Sequence, residues 1–249
     1  MVSADLFAKN TILSSLGPQT VNELVGEIEL VYLRTHQTLH EPNVPLASVY
    51  FPLDCVVSVV TSMRDGTAIE VGSIGREGTT GVFATIGLTI PNSTFCQVDG
   101  QSLVMTIGRF QRLLAEIEPF SRAVQSYLQG YLNVLAQLVA CNRLHDLDER
   151  CARWLLMTYD RVGKESFPLT QEFLAMMLGV RRSGVTLAAS GFQEAGFIKY
   201  TCGVITILDR ASLEREACEC YDVGRTWLTF PSGAPEPPRD GDRASFGPA

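Results

Sequence analysis

The sequence predicts an α+β chain in three parts: a strand-rich N-terminal half, one long helix, and a group of short helices closed by a hairpin. Three observations carry this. Between Leu39 and Ile107, β-branched and aromatic runs are punctuated by turn residues, among them Pro42-Asn43, Pro45, Pro52, Arg64-Asp65-Gly66 and Asp99-Gly100. From Val124 to Leu138 apolar residues recur at 4-3-4-3 spacing. After Leu169 two short one-sided segments meet at a glycine, and an alternating pair of runs follows.

Taken in order, Leu6 to Tyr32 has helical spacing, broken at Gly17-Pro18, with a second helix expected from Thr20 or Val21. Strands are expected from Leu39, with a hairpin across Arg64-Asp65-Gly66. A further strand around Thr94–Val98 leads to one at Ser102–Ile107, and such frequent turns suggest a small β-barrel or jelly roll. Ile74 to Gly81 is glycine-rich and could let backbone amides approach an anion, although glycines also simply make turns. No dinucleotide-binding fingerprint is present.

Arg109 to Glu118 reads as a short helix, and Pro119 opens the long one. Along it Val124, Leu128, Tyr131, Leu135 and Leu138 form the a/d seam of a coiled coil, widened by Leu132, Val134 and Val139. Packing on its own domain is expected, and so is a symmetric dimer. Asp146 starts the next helix, with Leu147, Cys151, Trp154, Leu155 and Tyr159 on one face. Ala211 to Phe230 reads as a last helical stretch. The Pro/Gly-rich segment that follows lacks periodicity and is expected to be a disordered tail.

The stretch from Leu169 to Leu208 is the most informative. Phe173, Leu174, Met177 and Leu178 give one apolar face, Thr170 stands where an N-cap hydroxyl is wanted, and Gly179 closes the helix. Val185, Ala188, Ala189 and Phe192 define a second helix ending at Gly196, and its opposite face carries Arg181, Arg182, Ser183, Thr186 and Leu187. This is a helix-turn-helix, and the hairpin around Thr201-Cys202-Gly203 would be its wing. Such units place the start of the second helix in the major groove. A guanidinium there can bond guanine O6 and N7 together, and a small hydroxyl or apolar group can touch a thymine methyl.

Composition bounds the rest. The 249 residues are 46% hydrophobic and 19% charged, so a soluble globular chain of two modest domains is expected. No apolar run is long enough to span a bilayer, and MVSADLFAKN has no secretory pattern. The seven scattered cysteines fit reduced thiols and a cytoplasmic location. Net charge is −7, but phosphate affinity depends on local contacts, and the helix-turn-helix is not itself acidic.

In this order, VYFPLDCVVSVV, the IGREG turn, the long helix running into HDLDERCARWLL, and PLTQEFLAMMLGVRRSGVTLAASGFQEAGFI resemble the Crp/Fnr superfamily of bacterial transcription regulators. The resemblance spans roughly Leu30 to Tyr221. It implies a cyclic-nucleotide-binding-type β-roll (a double-stranded β-helix or jelly-roll sensor domain) over residues 1–118 and a dimerisation helix over 119–145. A winged helix-turn-helix over 146–230 and the tail, 231–249, complete the chain. It also implies a homodimer on a near-palindromic operator, with RNA polymerase as a further partner. Thr170, Gln171 and Glu172 fall where relatives hold phosphates, and Arg182 and Ser183 fall on base-reading positions, with Arg181 just before them. Leu187 stands where relatives have a third reader, an arginine, which implies a different operator.

The effector side departs from the cyclic-AMP-binding relatives. Their Gly-Glu-Leu is replaced by Gly75-Arg76-Glu77, followed by Gly78, and their Arg-Ser by Asn92-Ser93. Their adenine-contacting Thr-Ser is replaced by Leu135-Ala136. A pocket that loses several polar partners does not stay specific, so no cyclic-AMP response is expected. These eight residues are the candidate pocket for an unidentified small-molecule effector, if one exists. No cofactor or metal is assigned. Cys218 and Cys220 form a candidate thiol switch or soft-metal pair, but their spacing is not the usual zinc pattern and a helical setting would point them apart. His36 and His40 are expected to be solvated, and His145 to serve near a helix start. No nucleophile–base set converges, which argues against an enzyme. The alternative function is a small-molecule or thiol-redox sensor acting through a protein partner.

Overall fold

Residues 2–85 and 89–228 are described by the structure, a computed structural model. A 3₁₀ turn at Ala4–Lys9 leads into α1 (Thr11–Ser14) and α2 (Pro18–Val25). Then come β1 (Glu29–Leu33), β2 (Thr38–His40), β3 (Ser48–Pro52), β4 (Val56–Ser62), β5 (Ala68–Ile74), β6 (Ser93–Val98) and β7 (Gly100–Thr106). These make two antiparallel sheets, ordered β1-β7-β3 and β2-β6-β4-β5. Asp99 joins β6 in one sheet to β7 in the other, so the expected turn there is a crossing between layers and not a hairpin. The β4–β5 hairpin does form, with Gly66 at φ 86° and the Asp65 carboxylate accepting from the Thr67 amide at 2.9 Å.

The first strand corrects the sequence expectation of helix through Tyr32. Glu29–Leu33 pairs with β7 from Val104 to Gly100. In so short a run the apolar spacing fits either period, and the free edge of β7 decides.

After the β-roll come α3 (Ile107–Glu116), α4 (Glu118–Leu144, with Pro119 in its first turn) and α5 (Leu147–Val162). Asp146 and Glu149 close a reciprocal capping box at the start of α5. The C-terminal part contains β8 (Ser166–Pro168), α6 (Gln171–Leu178), α7 (Arg182–Glu194), β9 (Ile198–Thr201) and β10 (Val204–Ile207). Its sheet order is β8-β10-β9, and Cys202 and Gly203, both at positive φ, make the two-residue turn of the wing. The last helical stretch is two helices, α8 (Arg210–Glu216) and α9 (Cys220–Leu228), parted by extended backbone at Ala217. The proline-rich tail lies outside the described residues.

Two cores hold the chain. One packs α1, β3, β7, α3 and α4 around Leu13, Phe51, Leu103, Phe110 and Phe120. The second is built from α5, α6, α7 and the wing, but it also takes in Val56, Val60 and Val98 from the β-roll. The head is thus packed directly on the sheet of β4 and β6. Among the described residues no helix is long and apolar enough to cross a membrane.

Helix α4 serves the first core with the residues that the sequence assigned to a dimer seam. Val124 and Tyr131 are buried in their own subunit, and Leu128, Leu135 and Leu138 are half-buried against the same core. The exposed apolar stripe runs instead through Leu132, Ala136, Val139 and Ala140, with Val139 74% exposed. An inward and an outward stripe share one period, so spacing alone does not tell them apart.

His40 is also corrected: it is buried, with Nε2 3.1 Å from the Thr80 hydroxyl, while His36 is exposed and packs edge-on against Phe173. Burial lowers the His40 pKa to about 4, against about 6.5 in an unfolded chain. The unfolded state therefore takes up a proton first on acidification, and stability falls from about pH 6.5 down to about pH 4. By pH 5 this amounts to about 2 kcal/mol, and His40→Gln should lack that component when urea midpoints at pH 7 and pH 5 are compared.

A methyl at Gly191, in the middle of α7, would meet no heavy atom within 4 Å. No neighbouring helix approaches closely enough to require a glycine here. Gly191→Ala should stabilise the protein by about 1 kcal/mol, read as a higher denaturant midpoint.

Candidate nucleic-acid interface

The Thr170 hydroxyl accepts from the Phe173 amide at 3.1 Å, which fixes the start of α6. Gly179, at φ 64°, ends α6, and the Val180 amide reaches back to the Ala175 carbonyl. Arg150 of α5 adds a donor to the Leu178 carbonyl at 2.7 Å. Gly179 is required for a second reason: a Cβ there would stand 2.4 Å from Ile69 of β5. Gly184 lets α7 approach Leu147 in the same way.

With this turn fixed, Val185, Ala188, Ala189 and Phe192 face the second core, and Arg181, Arg182, Ser183, Thr186 and Leu187 face outward. Leu187 is 77% exposed, which the second core does nothing to explain. The Thr186 hydroxyl donates to the Gln171 side chain at 2.8 Å and to the Arg182 carbonyl at 3.0 Å, tying the outer faces of α6 and α7 together. Glu172 is exposed in the first turn of α6. The residues that the sequence assigned to DNA thus converge on one surface, with the wing beside it. Tyr200 anchors the wing by donating to the Leu169 carbonyl at 2.8 Å.

The candidate effector residues do not converge. Gly75 to Gly78 form a turn just after β5, beside Val57, which pairs with Ile74. Ser93 pairs with Val60, and Asn92 donates to the Thr61 hydroxyl at 2.5 Å, near the far end of β4. Those ends are about 10 Å apart along the strand. Leu135 packs over Gly72, and Ala136 is exposed. The space at the glycines is filled by the chain itself, for a Cβ at Gly78 would stand 2.2 Å from the Tyr127 ring and one at Gly75 2.5 Å from Arg161.

Arg161 of α5 is the residue that the sequence reading missed here. Its Nε donates to Glu77 at 2.8 Å, and its Nη1 donates to the Ser73 hydroxyl at 2.7 Å. Arg161 is buried, and the Glu77 side chain is largely covered, at 13% exposure. The same Glu77 oxygen accepts from the Gly75 amide at 3.0 Å. Close by, Glu70 accepts from Trp154 at 2.9 Å and Ser58 at 2.7 Å, and burial raises its pKa. A charged residue on a helix otherwise read as amphipathic gives no sign of burial without its distant partner. Beside the latch lies a cleft of about 330 Å³ lined by Arg76, Glu77, Asp160, Arg161, Arg210 and Arg225.

A β-roll, a long helix and a winged helix-turn-helix whose second helix has an exposed outer face make up the fold. Residues 149–216 match the family model of the Crp-like helix-turn-helix domain. Among solved structures the chain is similar to a transcriptional regulator of the Crp/Fnr family from Eubacterium rectale, at 16% identity and a TM-score of 0.64, covering 84% of this chain and 98% of that one. It is similar to the c-di-GMP-responsive global regulator CLP of Xanthomonas campestris at 14% identity and a TM-score of 0.62, with 77% and 99% covered. A Crp/Fnr-family regulator from Thermus thermophilus matches at 21% identity and a TM-score of 0.59, with 76% and 98% covered. No curated protein matches the sequence. The chain matches the Crp-like helix-turn-helix domain over residues 149–216 and has, over most of its length, the fold of solved Crp/Fnr-family structures.

Removing one member of the buried latch strands the other's charge. Arg161→Ala should therefore lower stability by about 3–5 kcal/mol, measured by urea unfolding. Arg76→Ala, at the exposed neighbouring position, should change it little.

Proposed function

We propose that this protein is a homodimeric, sequence-specific DNA-binding transcription regulator that reads a near-palindromic operator with the helix starting at Arg181-Arg182. The observation that carries this is the outward face of α7, where two arginines, two hydroxyls and an exposed leucine lie together with no partner in the core. Arg181 and Arg182 suit guanine edges, Ser183 and Thr186 suit either a base or a phosphate, and Leu187 suits a thymine methyl. Thr170, Gln171 and Glu172, with the amides of the first turn of α6, lie where the neighbouring phosphates would run.

Dimerisation is assigned to the exposed stripe of α4 through Leu132, Ala136, Val139 and Ala140, with Leu128, Leu135 and Leu138 at its margin. A symmetric pair would set two heads on half-sites about one helical turn apart. The role is non-catalytic and belongs in the cytoplasm, with RNA polymerase as the downstream partner. Tyr127 and Arg161 fill the glycine turn, and Asn92-Ser93 lies at the other end of β4, which supports independence from cyclic AMP. A different effector would have to enter by another route, such as the cleft beside Arg76.

Selection from random duplexes, using purified protein without added effector, should enrich a two-fold sequence. Each enriched half-site should weaken by at least tenfold against Arg181→Ala or Arg182→Ala, while sedimentation still shows a dimer. Added cyclic AMP should leave the affinity unchanged. Wild-type-like binding by both variants would remove α7 from the interface.

A further inference from the structure

Three of the seven cysteines meet in space. Cys141 lies in the last turn of α4, His145 follows it by four residues as the C-cap, and Cys218 and Cys220 lead into α9. The three sulfurs and the His145 nitrogen all lie within 4.8 Å of one another. The sulfurs of Cys141 and Cys218 are 3.6 Å apart, and Cys220 Sγ is 3.6 Å from His145 Nδ1. A tetrahedral zinc ion with ordinary bond lengths spaces two thiolates by about 3.8 Å and a thiolate and an imidazole nitrogen by about 3.6 Å.

We propose that Cys141, His145, Cys218 and Cys220 form a Cys₃His site for a single zinc-class divalent ion, which clamps the end of α4 to the start of α9. Several features beyond the four ligands fit. His145 turns Nδ1 to the cluster and sets Nε2 3.1 Å from the Glu219 carboxylate, the second contact that orients metal-bound imidazoles. Gln137 donates to Cys220 Sγ at 3.1 Å. The three cysteines are buried and form a cluster of their own, apart from the two hydrophobic cores.

The break at Ala217 answers the objection from sequence. Cys218 follows the extended residue Ala217 and Cys220 is the first residue of α9, so the two do not share a helix, and both sulfurs meet Cys141 of α4. Four closely converging ligands suit one ion, because an iron–sulfur cluster holds its cysteines further apart. Three soft donors and one imidazole in a closed tetrahedron select zinc over magnesium or calcium, and the set of four protein ligands marks the site as structural. As each metal–sulfur bond forms, the thiol proton passes to solvent, so no oxidant or reductant is needed.

The position gives the ion its use. Helix α9 runs back along α4, and a Cβ at Gly130 would stand 2.3 Å from the Trp227 carbonyl oxygen, so the two helices touch closely at the other end as well. His145 immediately precedes Asp146, where α5 and the DNA-binding head begin. The clamp therefore sits on the joint between α4 and the head.

The full-length protein, produced in zinc-supplemented medium and purified with reductant and without chelator, should carry about one zinc per chain by mass spectrometry. Cys141→Ser and Cys218→Ser should each reduce this at least tenfold, while Cys202→Ser, in the exposed wing turn, should not. Reduced, metal-stripped wild-type protein should bind one cobalt(II) with the visible absorption of a tetrahedral thiolate site. This reading needs neither folded variants nor DNA. Zinc-free wild type that also gives no such cobalt spectrum would overturn the proposal, as would zinc retained in full by both folded cysteine variants.

Discussion

The contact between Arg161 and Glu77, with the Trp154–Glu70 hydrogen bond beside it, joins two parts of the chain that otherwise meet mainly through apolar surface. One residue of the ion pair comes from the last turn of the head's supporting helix, the other from the glycine turn at the end of β5. Burying two charges brings little net stability, since desolvation offsets most of their attraction. Its effect is on geometry. The guanidinium finds both Glu77 and the Ser73 hydroxyl in one orientation of α5, and Gly75 must lack a side chain for it to fit. Apolar packing of Val56, Val60 and Val98 against the head supplies the attraction, and the ion pair selects one of the many ways such a surface could slide.

What was legible in the sequence was local. Thr170 as an N-cap, Gly179 as a helix stop, the Asp146 cap and the Asp65-Gly66 turn each depend on residues within one turn of the chain. The outward face of α7 was legible for the same reason, because helical period alone separates Arg182, Ser183, Thr186 and Leu187 from Val185 and Ala188. The misread features depend on distant partners. The strand at Glu29–Leu33 exists because β7 has an edge to offer. The burial of His40 beside Thr80, the filling of the glycine turn by Tyr127 and the meeting of Cys141 with Cys218 join residues far apart in sequence. The cysteines could have been suspected from Cys141 and His145 at i, i+4, but only the bend at Ala217 completes the set.

Helix α4 shows why an apolar period is ambiguous evidence for assembly. Its inner stripe is spent on the β-roll through Val124, Tyr127 and Tyr131, and part of its remaining surface is covered by α9 at Gly130. Leu132, Ala136, Val139 and Ala140 are left as a narrower stripe of small and medium side chains. Small residues in such a stripe let two backbones approach closely, so a modest apolar area can still form a well-packed seam.

The same geometry constrains how any signal could reach the recognition helix. Among the contacts that hold the head are Arg161 at the glycine turn, Trp154 at Glu70, Gly179 against Ile69, and the start of α9 against α4. The first three belong to β5 or the turn that ends it. The tip of the Ile69 side chain lies against the very turn that precedes Arg181. A displacement of β5 along its own axis must therefore be met by movement of that turn or by loss of the contact, because a packed interface does not deform continuously. The α4–α9 contact lies on a different element. The orientation of α7 relative to the β-roll is thus fixed from two elements, by β5 through Ile69 and by α4 through Cys141.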